Sequence, residues 1–133
     1  MSEGATPFSR IGGEAAVRRL VKRFYELMDT LPEAYGIRKL HAADLSAAEN
    51  KLFMFLCGWL GGPQLYVEKF GHPRLRARHL SFPIGSSEAE QWMLCMRQAM
   101  AEIITDDAVR ASLDKALNDL AHFMRNREDR PPS

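Results

Sequence analysis

The sequence predicts an all-α protein with four substantial helices. Apolar residues recur at spacings of three and four in four stretches, which is the period of a helix with one buried face. The alternation of apolar and polar residues that marks a half-buried strand is not visible in the chain. The 133 residues fit one domain, and a hydrophobic content of 46% is enough for a core. We predict a helical domain over residues 7–124, a disordered N-terminal end at 1–6 and a flexible tail at 125–133.

The first part of the domain is predicted to hold a long amphipathic helix. A short segment, Pro7–Ile11, ends at Gly12-Gly13. Residues 14–29 then form a helix, with Tyr25 at the edge of its apolar stripe. Pro32 and Gly36 limit residues 30–40 to one or two helical turns. The stripe of the long helix comprises Val17, Leu20, Val21, Phe24 and Met28.

Two capping boxes are predicted to begin later helices, the first at Ser46 with Glu49 and the second at Ser87 with Glu90. Gly61-Gly62-Pro63 ends the first of these helices. The polar run Thr105-Asp106-Asp107 separates the second from the last helix. The three apolar stripes are Ala48, Leu52, Phe55, Leu56 and Trp59; Trp92, Cys95, Met96, Ala99 and Ile103; and Val109, Leu113, Ala116, Leu117, Leu120 and Met124.

The stretch from 61 to 85 is predicted to be irregular. It is about twice the length, ~12–15 residues, at which structureless loops become uncommon. A compact helical domain with such a loop is expected to wrap it around something that replaces missing core. A bound prosthetic group would do so.

This loop contains the run Gly71-His72-Pro73-Arg74-Leu75-Arg76-Ala77-Arg78-His79. Pro73 fits the first turn of a short helix, and Pro83 takes the residue before it out of helical geometry. Such a helix would present His79 beside Arg78. A neutral imidazole ligates iron and a guanidinium grips carboxylates, so the pair suits a flat ligand with a metal and carboxylates. On the residues alone, a histidine on a short helix is more commonly not a ligand.

Composition and charge exclude several other classes. The formal net charge of +1 argues against nucleic acid as the main partner, because binding phosphates normally needs a strong basic excess. No apolar run is long enough to span a membrane, and no signal pattern is visible at the start. Cys57 and Cys95 fall in apolar helical stretches, so we expect buried free thiols in a cytoplasmic protein.

The chain resembles the truncated haemoglobins of the second group over residues 8–123. The resemblance rests on Gly12-Gly13, Phe24-Tyr25, Gly61-Gly62-Pro63, the run ending at His79, and Trp92 thirteen residues later. It implies a two-over-two helical sandwich around haem b, with His79 as the iron ligand and Arg78 on a haem propionate. The residues that it places against the haem are Leu52, Phe55, Leu56, Phe70 and Trp92.

The resemblance also implies a ligand pocket formed by Tyr25, Trp92 and His41, with Ala48 where vertebrate globins keep a distal histidine. Phenol and indole groups are hydrogen-bond donors, and a donor in an apolar pocket is worth ~1–3 kcal/mol to a charged acceptor. Two donors would make oxygen release slow, which is poor for oxygen transport and better for chemistry on the bound gas. Many members have tyrosine in place of His41. This histidine could donate to the ligand, accept from Tyr25 or coordinate iron.

We therefore expect a haem b protein that reversibly binds O2, NO, CO or peroxide. Nitric oxide dioxygenation or peroxidase-like turnover would serve under nitrosative or oxidative stress. Either reaction needs a separate reductase, because no flavin or nicotinamide site is visible. The alternative from another class is a cofactor-free helical interaction module. A zinc site at His72 and His79 is disfavoured, since their spacing matches no common zinc pattern.

Overall fold

The computed structural model describes residues 6–74 and 83–125, and every regular element in these two ranges is helical. The all-α prediction is confirmed. In chain order the helices are α1 (Pro7–Ile11), α2 (Gly13–Thr30), a 3-10 turn (Pro32–Ala34), α3 (Tyr35–Arg38), α4 (Ser46–Trp59), α5 (Leu65–Phe70), α6 (Ser86–Ile103) and α7 (Asp107–Phe123).

Helix α2 is the centre of the packing. It lies against α4 on one side and α6 on the other, and α6 in turn packs on α7. This is the two-over-two arrangement that the resemblance implied. The predicted stripe of α2 is buried together with Tyr25, and methionines fill much of the space between the helices. Core side chains with less than 2% exposure include Leu20, Phe24, Met28, Leu56, Met93, Met96 and Met100.

The capping box predicted at Ser46 is wrong. Ser46 is the first residue of α4, and both its amide and its hydroxyl donate to Asp44 Oδ1, at 2.9 and 2.6 Å. The carboxylate two residues earlier takes the place of the predicted serine cap. The helix still begins where the sequence placed it.

The start of α6 also differs from the prediction. The helix begins at Ser86, and the amide of Gly85 donates to Glu88 Oε1 at 2.7 Å, so Glu88 rather than Glu90 makes the reciprocal bond. The hydroxyl of Ser87 instead accepts from Gln91 Nε2 at 3.0 Å. Two registers were possible here, Ser87 with Glu90 and Gly85 with Glu88, because glycine is also favoured as an N-cap residue, and only the backbone distinguishes them.

Gly61 and Gly62 end α4 by letting α1 come close. Gly61 has a φ of +98°, and a Cβ on Gly62 would lie 2.6 Å from the Phe8 ring. The amide of Phe8 also donates to the carbonyl of Leu60 at 3.0 Å. The predicted helix end is confirmed, and its cause is contact with a segment about fifty residues earlier. Thr6 and Ser9 form a capping box for α1 that was not predicted.

The stretch from 61 to 85 is not irregular throughout. It contains α5, whose Tyr66 is buried. The short helix predicted to begin at Pro73 does not begin there, because Arg74 has a left-handed φ of +46° and its amide donates to His72 Nδ1 at 3.1 Å. His72 therefore caps a turn. The rest of that prediction, including Arg78 and His79, lies outside the described residues, as does most of the predicted N-terminal end and tail.

Both cysteines are free and buried, as expected. Burial raises the pKa of each thiol to about 11. The thiolate is the reactive form, so neither cysteine is suited to nucleophilic or redox chemistry near neutral pH.

Candidate functional site

Helix α4 carries an apolar stripe that the protein covers only in part. Ala48, Leu52 and Phe55 are half-buried, and Trp59 is 36% exposed. Successive helical residues are rotated by about 100°, which puts these four on one narrow face. Leu56 is rotated further and is 1% exposed, in the core between α4 and α2. The residues of the predicted stripe thus lie on two faces of α4. Four are partly exposed, whereas Leu56 offers almost no surface to a bound group.

Tyr25 lies at the N-terminal end of this stripe. Its side chain is 7% exposed, and its hydroxyl donates to the carbonyl of Ala48 over 3.5 Å. That distance is longer than a strong O–H···O bond, so the proton is loosely held and can turn to a better acceptor. Burial raises the pKa of the phenol far above its ordinary value, and the charge of Glu49 adds to the effect. Tyr25 is therefore a protonated donor at physiological pH.

Phe24 contacts both predicted donors, Tyr25 and Trp92. It is fully buried, its ring centroid lies 4.9 Å from that of Tyr25 in an edge-on contact, and it lies 5.0 Å from that of Trp92. Trp92 is half-buried on α6. A phenylalanine between them fixes the rings of α2 and α6 relative to each other.

His41 completes the group. Its ring centroid lies 5.9 Å from that of Tyr25, with the ring planes at 73°, and its Nδ1 lies 3.0 Å from the carbonyl oxygen of Ile37. The structure thus brings together the three side chains predicted to form a ligand pocket. Their roles there stay predictions.

Phe55 and Phe70 are connected through Tyr66. The Tyr66 ring is perpendicular to that of Phe55, with centroids 6.4 Å apart, and lies 4.9 Å from that of Phe70. A mainly apolar cavity of about 200 Å³ opens beside Phe55, Trp59 and Pro73. The cavity therefore lies beside the partly covered stripe of α4.

These residues fit a haem. A flat, largely apolar macrocycle needs an incompletely covered apolar face, which the stripe of α4 provides. A gas bound to it needs donors in an apolar setting, which Tyr25 and Trp92 provide. Arg78 and His79 supply the types of side chain that bind propionate and iron.

Two polar residues near the site, Gln91 and Arg38, were not predicted from the sequence. Gln91 Oε1 accepts from the amide of Ile37 at 2.8 Å, and Arg38 donates to the carbonyls of Ala42 and Ala43 at 3.0 Å and to Asp29 Oδ1 at 2.9 Å. Together they fasten the loop that carries His41 to α6 and α2. The bond from Gln91 joins residues 54 positions apart, so no local pattern could have identified it, whereas the bonds of Arg38 span at most nine positions.

The raised pKa of Tyr25 predicts a loss of stability in alkali. The unfolded chain releases the phenol proton near pH 10.0, whereas the folded protein keeps it. Above that pH the unfolded state binds fewer protons, so the free energy of unfolding falls as pH rises, by up to about 1.4 kcal/mol per unit. We expect Tyr25→Phe to lack this part of the slope in chemical unfolding curves. Tyr35→Phe, at a side chain 69% exposed, is the control and should keep the wild-type slope. Equal slopes for Tyr25→Phe and the wild type would contradict the assignment.

Comparisons with known proteins identify the family of the chain. The family described as bacterial-like globin matches residues 6–126. The chain is 39% identical over 123 residues to the group 2 truncated haemoglobin YjbI of Bacillus subtilis (strain 168), covering 92% of this chain and 90% of that protein.

Solved structures agree as well. The group II 2-on-2 haemoglobin of Agrobacterium tumefaciens superposes with a TM-score of 0.91 at 50% identity, covering 94% of this chain and 96% of that one. The truncated oxygen-avid haemoglobin of Bacillus subtilis gives 0.83 at 38% identity, covering 91% and 99%. The chain therefore belongs to the bacterial-like globin family and, within it, to the group 2 truncated haemoglobins.

Proposed function

We propose that this protein is a haem b protein that holds oxygen tightly and uses the bound gas for redox detoxification. Binding of haem and of oxygen is the general function of its family. The observation that carries the finer proposal is a pair of ring donors, the buried Tyr25 and the half-buried Trp92, which both contact Phe24. Tyr25 also lies at one end of the partly covered stripe of α4.

The haem supplies the binding and redox chemistry of a diatomic gas. The chain supplies the rest. With haem bound, the Tyr25 hydroxyl and the Trp92 indole N–H would donate to the gas, and Leu52 and Phe55 would exclude water from it. His79 would hold the iron, and Arg78 would pair with a propionate. A phenol that stays protonated donates at every physiological pH, so the retention of oxygen does not depend on pH through Tyr25.

The reaction that best suits slow oxygen release is the oxidation of nitric oxide. One NO, one O2 and one electron give one nitrate ion, and the electron comes from a separate reductase. Peroxidase-like turnover is the second candidate, because Tyr25 and Trp92 are both oxidisable side chains next to the bound ligand. No helix in the described ranges is long and apolar enough to cross a membrane. The cytoplasmic location stays a prediction.

The absorption spectrum and stopped-flow mixing test the proposal. Purified protein supplied with haem should show a strong haem absorption band. Mixing the oxygen-loaded protein with nitric oxide should give nitrate in one fast phase, and mixing the ferric protein with peroxide should test the second candidate. Protein that stays colourless when haem is supplied would favour the cofactor-free interaction module. A haem band with neither reaction would leave oxygen binding as the function and refute detoxification.

Trp92→Phe tests the donor role directly. Phenylalanine keeps a ring against Phe24 but has no N–H, so we expect oxygen to dissociate about tenfold faster, which corresponds to ~1.4 kcal/mol. Tyr35→Phe is the matched control, because it also removes a donor from a ring, at a side chain that is 69% exposed. Equal dissociation rates for Trp92→Phe and the wild type would mean that the indole does not contact the gas.

A further inference from the structure

Ile37 is a junction between α6 and the loop that carries His41. Its amide donates to Gln91 Oε1 at 2.8 Å. Its carbonyl oxygen accepts from His41 Nδ1 at 3.0 Å and from the amide of Leu40 at 3.2 Å. Ile37 is only 6% exposed, so water has little access to the groups that form these hydrogen bonds. Two hydrogen bonds therefore link the Gln91 side chain to the His41 imidazole through the backbone of Ile37.

The placement of Gln91 is itself fixed. Its Nε2 donates to Ser87 Oγ at 3.0 Å, one turn earlier on α6, which leaves Oε1 aimed at Ile37. Gly36 makes the approach possible, because a Cβ at that position would lie 2.7 Å from Gln91 Oε1 and 2.8 Å from its Nε2. Any other residue at 36 would have to push the amide aside.

The hydrogen bond between His41 Nδ1 and the carbonyl oxygen of Ile37 determines the tautomer of His41. A carbonyl oxygen only accepts, so the proton of His41 is on Nδ1, and in the neutral ring Nε2 is then the acceptor nitrogen. A histidine in this form can accept from the Tyr25 hydroxyl or coordinate iron, but it cannot donate to a bound gas. Of the three roles that the sequence left open for His41, the tautomer is compatible with two.

We propose that Gln91, admitted by Gly36, is a positioning residue that holds His41 as its Nδ1–H tautomer. The pocket then has two donors, Tyr25 and Trp92, and one acceptor, His41. The consequence for a bound gas rests on the proposed haem function. The tautomer itself is a property of the chain, which allows the two to be tested separately.

The experiment is a two-bond ¹⁵N–¹H correlation spectrum of the full chain labelled at histidine nitrogens. The sample is the ferrous protein saturated with carbon monoxide, which is diamagnetic, at a pH about two units above the ordinary imidazole pKa of about 6.5. In the wild type we expect the His41 proton on Nδ1 alone. Gln91→Met, which fills similar space without an acceptor, should give a mixture of both tautomers. Gln91→Glu keeps an acceptor oxygen for Ile37 and should restore the single tautomer.

Gln98→Met is the matched control, because Gln98 is an exposed glutamine on the same helix and contacts Glu102 rather than the loop. It should leave the His41 signals unchanged. Gly36→Ala provides a second variant if Gln91→Met folds poorly, and it should give the same mixture by displacing the amide.

Three results would overturn the proposal: an Nε2–H tautomer in the wild type, an unaltered Nδ1–H tautomer in Gln91→Met, or a mixture in Gln91→Glu. If the protein takes up no haem, the haem proposal fails. The tautomer can then still be measured in the haem-free chain, so the two failures are distinguishable.

Discussion

His79→Ala is expected to abolish stable haem binding. The imidazole at this position is proposed as the bond from protein to iron. Loss of groups that merely support a metal ligand already costs about 10–100-fold in affinity, so we expect loss of the ligand itself to weaken haem binding more than about 100-fold. Titration of haem into the purified chain, followed by absorption, measures the change.

The chain offers two histidine controls for this experiment. His72 is exposed and accepts from the amide of Arg74, and His122 lies on the last turns of α7. Alanine at either position should leave haem affinity unchanged. A His79→Gly variant should regain the haem band when imidazole is added, because the free base can occupy the vacated position. Full haem binding by His79→Ala without imidazole would mean that another group holds the iron.

Phe24→Ala is expected to have the largest effect on stability and to loosen the ligand pocket at the same time. The side chain is fully buried, and removing a buried phenylalanine typically lowers the free energy of unfolding by about 3–5 kcal/mol. This is a large fraction of the ~5–15 kcal/mol that keeps a domain folded. Because Phe24 contacts both Tyr25 and Trp92, its loss should also free the two donors and speed oxygen dissociation.

Phe53→Ala separates these two effects. Phe53 is 3% exposed on α4 and packs under the guanidinium of Arg18, and it takes no part in the ring contacts of the two donors. Urea unfolding should show a loss of stability similar to that of Phe24→Ala, whereas the oxygen dissociation rate should match the wild type. If both variants speed dissociation equally, general loosening of the core would explain the effect and Phe24 would have no special role at the pocket.

Much of the fold could be predicted because short-range patterns in the sequence indicate where helices begin and end. The bounds of α2 and α7 follow from apolar residues three and four apart, and the end of α4 follows from Gly61-Gly62-Pro63. The errors fall where one short pattern fits two structures. At α6, Gly85 with Glu88 and Ser87 with Glu90 were two possible registers, and at Ser46 the carboxylate of Asp44 competed for the same donors.

The candidate site could likewise be predicted only in part. Tyr25, His41 and Trp92 were identified through a family resemblance, and their residue types already define which groups can donate or accept protons. Tyr25 and Trp92 are linked through Phe24, which looks in the sequence like any other core residue of α2. Leu56 was grouped with Phe55 by periodicity, but about 100° of rotation separates a side chain in the core from one facing the pocket.

By itself, the sequence determined the helical class, the order of the helices and the donor chemistry available to a bound gas. These properties depend on residues within about one helical turn of one another, or on residue type alone. Only the tertiary structure decided which face of α4 stays partly covered and which nitrogen of His41 carries the proton. The bond from Gln91 to Ile37 joins residues 54 positions apart, and its geometry exists only after α3 packs on α6.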